Sequence, residues 1–261
     1  MTQPPEQAYP AHVGASEAQP AAYAVHPDPN ATPYSIAGAF SWSLGKFSAN
    51  AVGLVGGALV HTLLQAIGPL IGVGGAFALA DRVTVVEAGP GMVEEVGEAT
   101  LGAGSIAAIV VGALVALLLA AYSLSAYIGG VVDIANGQLT TFGSFFRPRH
   151  YGSVLAAVLV LLIAIALGSI VIVGGVIVVF LFWFAIPIIV DRGTGPLAAM
   201  KESAELVRAN FGESLVTALL VGMVWVVGNS ACGIFVIVTA PIATLIAVFA
   251  LRRFADQQIA P

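Results

Sequence analysis

Residues 150–190 read HYGSVLAAVLVLLIAIALGSIVIVGGVIVVFLFWFAIPIIV, 41 positions without an Asp, Glu, Lys or Arg. As one helix rising about 1.5 Å per residue, the run would be about 60 Å long, twice the roughly 30 Å hydrocarbon thickness of a bilayer. It is therefore predicted to fold back as two membrane spans. The break is expected near Gly168 and Ser169 or near Gly174 and Gly175, where small residues interrupt the apolar run. Three more charge-free windows surround it, at 47–80, 99–132 and 214–251. A central charge costs a membrane helix about 2.5–3.5 kcal/mol, whereas a Leu or Ile contributes only about 0.3–0.6, so complete exclusion of charge marks immersion in lipid. The last window divides near Gly228, Asn229, Ser230 and Gly233, and each 34-residue window is assigned one span.

The expected fold is an all-α, polytopic transmembrane helical bundle with interfacial amphipathic helices. About six spans are expected, near 49–80, 101–130, 153–168, 171–190, 214–228 and 232–251, with four to eight left open. The basic residues supply an independent test of orientation. With the N-terminus inside, Lys46, Arg147, Arg149, Arg192, Lys201, Arg208, Arg252 and Arg253 are cytoplasmic and only Arg82 lies outside, eight of nine in agreement. Both ends then face the cytosol.

Of the 261 residues 59% are hydrophobic and 9% charged, against about 25% charged in an ordinary soluble domain, which excludes a plain globular enzyme. A net charge of −5 offers no basic field for nucleic acid. The single cysteine, Cys232, forms no intrachain disulfide, and with four scattered histidines it makes no familiar metal site, so neither metal nor cofactor is expected.

Outside the membrane domain of 36–254, residues 1–35 hold seven of the fourteen prolines and eight alanines but no Leu, Ile or Phe, and are predicted to be a disordered cytoplasmic tail. Residues 255–261 are a short cytoplasmic tail. Ile36, Phe40, Leu44 and Phe47 recur at helical spacing with Trp42 and Lys46 alongside, which reads as an interfacial helix. A second is predicted at 196–211, with Leu197, Met200, Ala204, Val207 and Phe211 on one face and Lys201, Glu202, Glu205 and Arg208 on the other. Phe142, Phe145, Phe146, Arg147, Arg149 and Tyr151 read as a lipid-anchoring segment at the headgroup layer. The outward loop 81–98, acidic and centred on Gly89, Pro90 and Gly91, reads as a solvated connector.

Gly102, Gly104 and Ala107 match a dinucleotide-loop pattern but follow no predicted strand. The same region is better explained by Gly104, Ala108, Gly112, Ala116 and Ala120, a small residue at every fourth position that admits a neighbouring helix. Gly53 with Gly57 and Gly68 with Gly72 repeat the theme, and Pro69 and Pro241 are candidate kinks. The candidate intramembrane polar groups are His61, Gln65 and Asn229, with Ser230 beside the last. At the inner rim Asp133 and Asp191 are candidates for ion pairs with Arg147, Arg149 or Arg192. No catalytic motif or catalytic residue is identified.

Asp133 and Gly137 before TFGSFFRPR (141–149), the DRGTGPLAAMKES stretch (191–203), Cys232 with Gly233, Pro241, and Arg252 with Arg253 together carry a resemblance in pattern. From about residue 40 onward the chain resembles a family of bacterial multi-pass membrane proteins of unknown function, akin to the membrane domain attached to some glycerophosphodiester phosphodiesterases. The resemblance implies about six helices in the bacterial cytoplasmic membrane and suggests a lipid-related role. It transfers no catalytic residue, because the phosphodiesterase chemistry belongs to a soluble domain. The expected function is that of a non-enzymatic accessory or scaffold in contact with membrane lipids, with a membrane-protein partner or self-association. The alternative is a transporter or pore subunit whose polar path runs by His61, Gln65 and Asn229.

Overall fold

The computed structural model describes residues 30, 33–89, 92–171, 173–230, 233 and 235–261. Most of the predicted N-terminal tail, together with Pro90, Gly91 and Cys232, lies outside the described residues. The chain folds as an all-α bundle with six helical segments long and apolar enough to cross a membrane.

The first segment begins with α1 (Ile36–Pro69), where the Ser35 hydroxyl accepts from the Gly38 amide at 3.1 Å and so satisfies one of the donors left open at a helix start. The interfacial helix expected at 36–47 is not separate. It runs into the span through an irregular turn at Asn50 (φ −122°, ψ 17°), whose side chain donates to the Lys46 carbonyl and accepts from Thr140. Pro69 has no N–H for the Gln65 carbonyl, and directly after it the helix loosens into a π-helical turn at Leu70–Gly74 before α2 (Gly75–Ala78).

The segment 81–98 is a correction: the connector is an antiparallel hairpin of β1 (Asp81–Gly89) and β2 (Met92–Thr100), with Val85 opposite Val96 and Glu87 opposite Glu94 in the register. Its carboxylates and the Gly-Pro-Gly sequence hide a β-branched run, Val83 to Val86, that suits a strand.

The chain returns as α3 (Ala103–Ala135), antiparallel to α1 and α2. Along this seam a Cβ on Gly68 would lie 2.7 Å from the Ala116 backbone, and one on Gly75 would lie 2.8 Å from Ala108. Gly112 sits against the backbone of Gly72, and Gly104 sits against Leu79. The small-residue stripe thus lies within the chain, where it lets two backbones approach. Ala120, a turn further on, is half-buried.

Helices α4 (Tyr151–Gly168) and α5 (Gly174–Phe182) form the second hairpin. Its turn runs between the two break positions named above, Gly168 with Ser169 and Gly174 with Gly175, and Gly174 rests directly on the Gly168 backbone. The span read at 171–190 is not one helix. It breaks at Trp183 and Phe184 and resumes as α6 (Ala185–Arg192), which ends on Gly193 at φ +70°, the left-handed cap that favours glycine. Helix α7 (Pro196–Ala209) starts with proline in its first turn and lies across α5 and α6. Its buried face is Ala199, Met200, Ser203, Ala204 and Val207, so Leu197 and Phe211, expected on that face, are exposed. Helices α8 (Phe211–Asn229) and α9 (Val236–Phe254) make the third hairpin.

The buried core occupies one end of the bundle, where the last turns of α3 and α9 meet α6 and α7. Toward the other end the hairpins expose Leu63, Ile67, Phe77, Ile106, Leu114, Ile163, Leu167, Val176 and Val226, an apolar surface too extensive for water. With six spans of this kind, the chain is a multi-pass membrane protein.

Candidate functional site

Of the candidate polar residues of the spans, His61 and Gln65 are committed to packing between elements and Asn229 is not. His61 is buried on α1, its Nε2 2.9 Å from the Phe145 carbonyl and its Nδ1 3.0 Å from the Ser123 hydroxyl of α3. A carbonyl only accepts, so Nε2 carries a hydrogen. Gln65 donates to the Leu119 carbonyl at 3.3 Å, and Tyr127 donates to the Leu54 carbonyl at 3.1 Å. These bonds continue the glycine seam as a ladder between the same two helices. Asn229 is elsewhere: it is exposed on α8 and donates to Trp225 of its own helix at 2.8 Å, and Ser230 likewise bonds back to Val227. The structure brings His61 and Gln65 to one seam and leaves Asn229 apart from them.

The aromatic segment before α4 corrects a second expectation. Residues Phe142–Phe146 form a 3-10 turn in which Thr141 and Ser144 cap each other's backbone. This turn wedges into the bundle instead of spreading over lipid. Phe145 is fully buried in a slot floored by Gly53, Gly57 and Gly130, where added Cβ atoms would lie 2.9, 3.0 and 2.5 Å from its atoms. Phe146 stacks on His61 with centroids 5.1 Å apart, while Phe142 stays half exposed. Gly53 and Gly57 therefore make room for a ring.

Outside the hairpin, the ion-paired groups gather at the end that holds the core. Asp133 on α3 takes Arg149 Nη2 on both oxygens, at 2.7 and 2.8 Å. Asp191, at the end of α6, accepts from Arg252 of α9 at 2.6 Å, with both side chains less than a tenth exposed. Arg192 bonds Glu202 of α7 and stands 3.9 Å from Asp191. Arg147 is exposed and enters no ion pair among the described residues. Arg252 was missed in the sequence as the partner of Asp191. It ends a predicted span on the same side, which is the signal that could have paired them.

Residues 255–261 are not a loose tail. Asn30 and Ile259 bond reciprocally at 2.8 and 3.1 Å, Ala260 donates to the Ala135 carbonyl at 2.9 Å, and the Trp42 indole donates to the Ala260 carbonyl at 2.9 Å. Ile259 is buried against Ala39 and Phe249. Tyr34 wedges beside Phe249 and Phe254 and bonds Thr217 of α8. Burial holds the Tyr34 hydroxyl above its ordinary pKa; the Thr217 bond opposes this and the Glu213 carboxylate adds to it. Between the folded-back segment, α3 and α6 lies an open cavity of about 990 Å³, lined by Asn136, Asp191, Arg192, Arg252, Gln257 and Gln258, with Asn30 at its edge. This cavity is the candidate functional site. Among the described residues no His, Cys, Asp and Glu cluster suited to a metal occurs.

No family model matches the chain, and no solved structure matches it. Two relatives are similar over 260 residues at 30% identity: Uncharacterized protein Rv2560 of Mycobacterium tuberculosis and Uncharacterized protein Mb2590 of Mycobacterium bovis. The match covers 98% of this chain and 74% of each relative. The chain belongs to the family of these mycobacterial proteins.

Proposed function

We propose that the protein is a non-enzymatic accessory or scaffold of the bacterial cytoplasmic membrane, with both ends in the cytosol, in contact with lipids and with a membrane-protein partner or a second copy. One observation carries this reading: His61 and Gln65 are spent on bonds that join α1 to its neighbours and Asn229 stands apart on its own helix, whereas the paired charged groups, Asp133 with Arg149, Asp191 with Arg252 and Arg192 with Glu202, collect at one rim. A solute path needs uncommitted polar groups in line, and His61, Gln65 and Asn229 do not form such a row. The one-sided distribution of Lys and Arg supports the orientation, and the mycobacterial relatives support a bacterial membrane.

Crosslinking in cells followed by detergent extraction tests the scaffold reading. A defined partner or a crosslinked dimer is expected, and recovery of this chain alone as a monomer would overturn it. Reporter tags at residues 90 and 200 are expected in opposite compartments.

A further inference from the structure

We propose that the groove holding residues 257–261 is a recognition site for an extended segment of a membrane-protein partner, and that the chain's own segment fills it until the partner arrives. This rests on the scaffold reading for the existence of a partner and adds where on the rim that partner docks.

The folded-back segment is held as a bound peptide is held, mainly by its backbone. The Ile259 amide donates to Asn30 Oδ1 at 3.1 Å, Asn30 Nδ2 donates back to the Ile259 carbonyl at 2.8 Å, and the Ala260 amide donates to the Ala135 carbonyl at 2.9 Å. The Trp42 indole donates to the Ala260 carbonyl at 2.9 Å, and Lys46 reaches the Pro261 carbonyl. Donor and acceptor at once, the Asn30 amide does what the peptide group of a neighbouring strand would do. Such bonds ignore side-chain identity, so selectivity falls to the pockets between them. One side chain is pocketed: Ile259, 2% exposed, lies against Ala39 and Phe249, with Tyr34 and Trp42 packed around them. The methyl group of Ala260 rests on Gly137, where an added Cβ would lie only 3.0 Å from it, so the next position takes a small residue. The groove thus reads an extended strand with an aliphatic residue followed by a small one.

Two observations make the resident segment exchangeable. Ile259 forms a small apolar cluster with Ala39 and Phe249, separate from the main core of α3, α6, α7 and α9, so its departure leaves that core in place. Between α9 and the groove, Asp256 sits at φ +51°, a left-handed conformation that costs a non-glycine residue and that release relaxes. A short tether gives the resident segment an effective concentration in the millimolar range, enough to fill the groove with modest affinity and to yield it to a partner that fits better.

The full chain in nanodiscs is titrated with a fluorescent, amidated peptide, Asp-Gln-Gln-Ile-Ala-Pro, which copies residues 256–261, and with a control peptide carrying Asp in place of Ile. Ile259→Asp puts a carboxylate into the apolar pocket and is expected to empty the groove. That variant should bind the Ile peptide saturably and at least about tenfold tighter than the wild type, where the tethered segment competes. The Asp peptide should not bind. Asn30→Ala added to Ile259→Asp removes both bonds at position 259 and should weaken the Ile peptide about tenfold. If Ile259→Asp does not fold, a nitroxide on Pro261→Cys in a Cys232→Ser chain reads the same exchange: the Ile peptide at millimolar concentration should mobilise the label and the Asp peptide should not. A folded Ile259→Asp that binds neither peptide, binding indifferent to Ile or to Asn30, or a label that the Ile peptide leaves unmoved would overturn the proposal. In cells, Ile259→Asp should raise the yield of a crosslinked membrane protein severalfold. Equal yields from both chains, or a dimer raised instead, would overturn the groove as the partner's dock, whereas recovery of this chain alone would overturn the scaffold reading.

Discussion

Gly112→Ala is the sharpest test of the seam between α1 and α3. The new methyl carbon would lie 2.6 Å from the Gly68 carbonyl oxygen and closer still to the Cα and N of Gly72, where ordinary contact begins at 3.4 Å. All three atoms are backbone, so no side chain can swing aside. The helices must part by about 1 Å or distort, and overpacking of this kind costs about 1–3 kcal/mol. The same movement stretches the Gln65 bond to Leu119, already 3.3 Å, and the Ser105 bond to the Ala76 carbonyl, at 2.9 Å. Interhelical bonds in a membrane average about 0.6 kcal/mol each, which brings the expected loss to about 2–4 kcal/mol. Thermal unfolding in detergent should fall by at least about 4 °C for a chain of this size. Gly222→Ala on α8 is the control, because a methyl group there meets nothing within 4 Å and improves helix propensity. If Gly112→Ala melts with the wild type, or if Gly222→Ala loses as much, the close approach of the two helices is not what holds them together.

His61→Phe removes the donor to the buried Phe145 carbonyl and should cost about 1–3 kcal/mol in thermal stability, whereas Asn229→Ala, on an exposed surface, should stay within about 0.5 kcal/mol. Asp191→Asn leaves the Arg252 charge buried without its counterion, a loss of about 3–5 kcal/mol, while Lys201→Ala, at a fully solvated pair, should be silent by the same melting assay. Phe145→Ala empties the glycine-lined slot and should cost about 3–5 kcal/mol; Phe142→Ala, half exposed, should cost much less on chemical denaturation. Replacing residues 82–99 by a Gly/Ser linker should leave the melting temperature of the bundle unchanged, since its core lies at the opposite end.

Immersion in lipid is what made the helices legible, because a bilayer penalises every charge and leaves windows such as 150–190 with one reading. The Phe142 to Tyr151 segment was not legible for a physical reason: rings flanked by arginines suit a headgroup layer and a protein slot equally well. Only the opposing Gly53, Gly57 and Gly130, from two other helices, decide between them. Asp133 and Arg149 are 16 residues apart, and their pairing lay within reach of span-end reasoning. Asp191 and Arg252 are separated by 61 residues and two helices, so nothing local joins them. The candidate cavity was invisible for the same reason, its walls coming from α3, α6 and the final segment. The hairpin was hidden by its carboxylates, which read as solvation although the backbone between them suits strands.

The gap between α5 and α6 bears on how the protein is made. There the Phe184 amide donates to the Ser203 hydroxyl at 3.2 Å, and the same hydroxyl donates to the Leu181 carbonyl at 2.8 Å, so α7 completes what the broken helix leaves undone. Ser203 is translated 19 residues after Phe184. A nascent chain that has just delivered its second hairpin to the translocation machinery therefore carries an unfinished backbone until α7 leaves the ribosome. A polypeptide truncated before residue 203 lacks the hydroxyl that satisfies this break, and is expected to be degraded faster in the membrane than one truncated after α7.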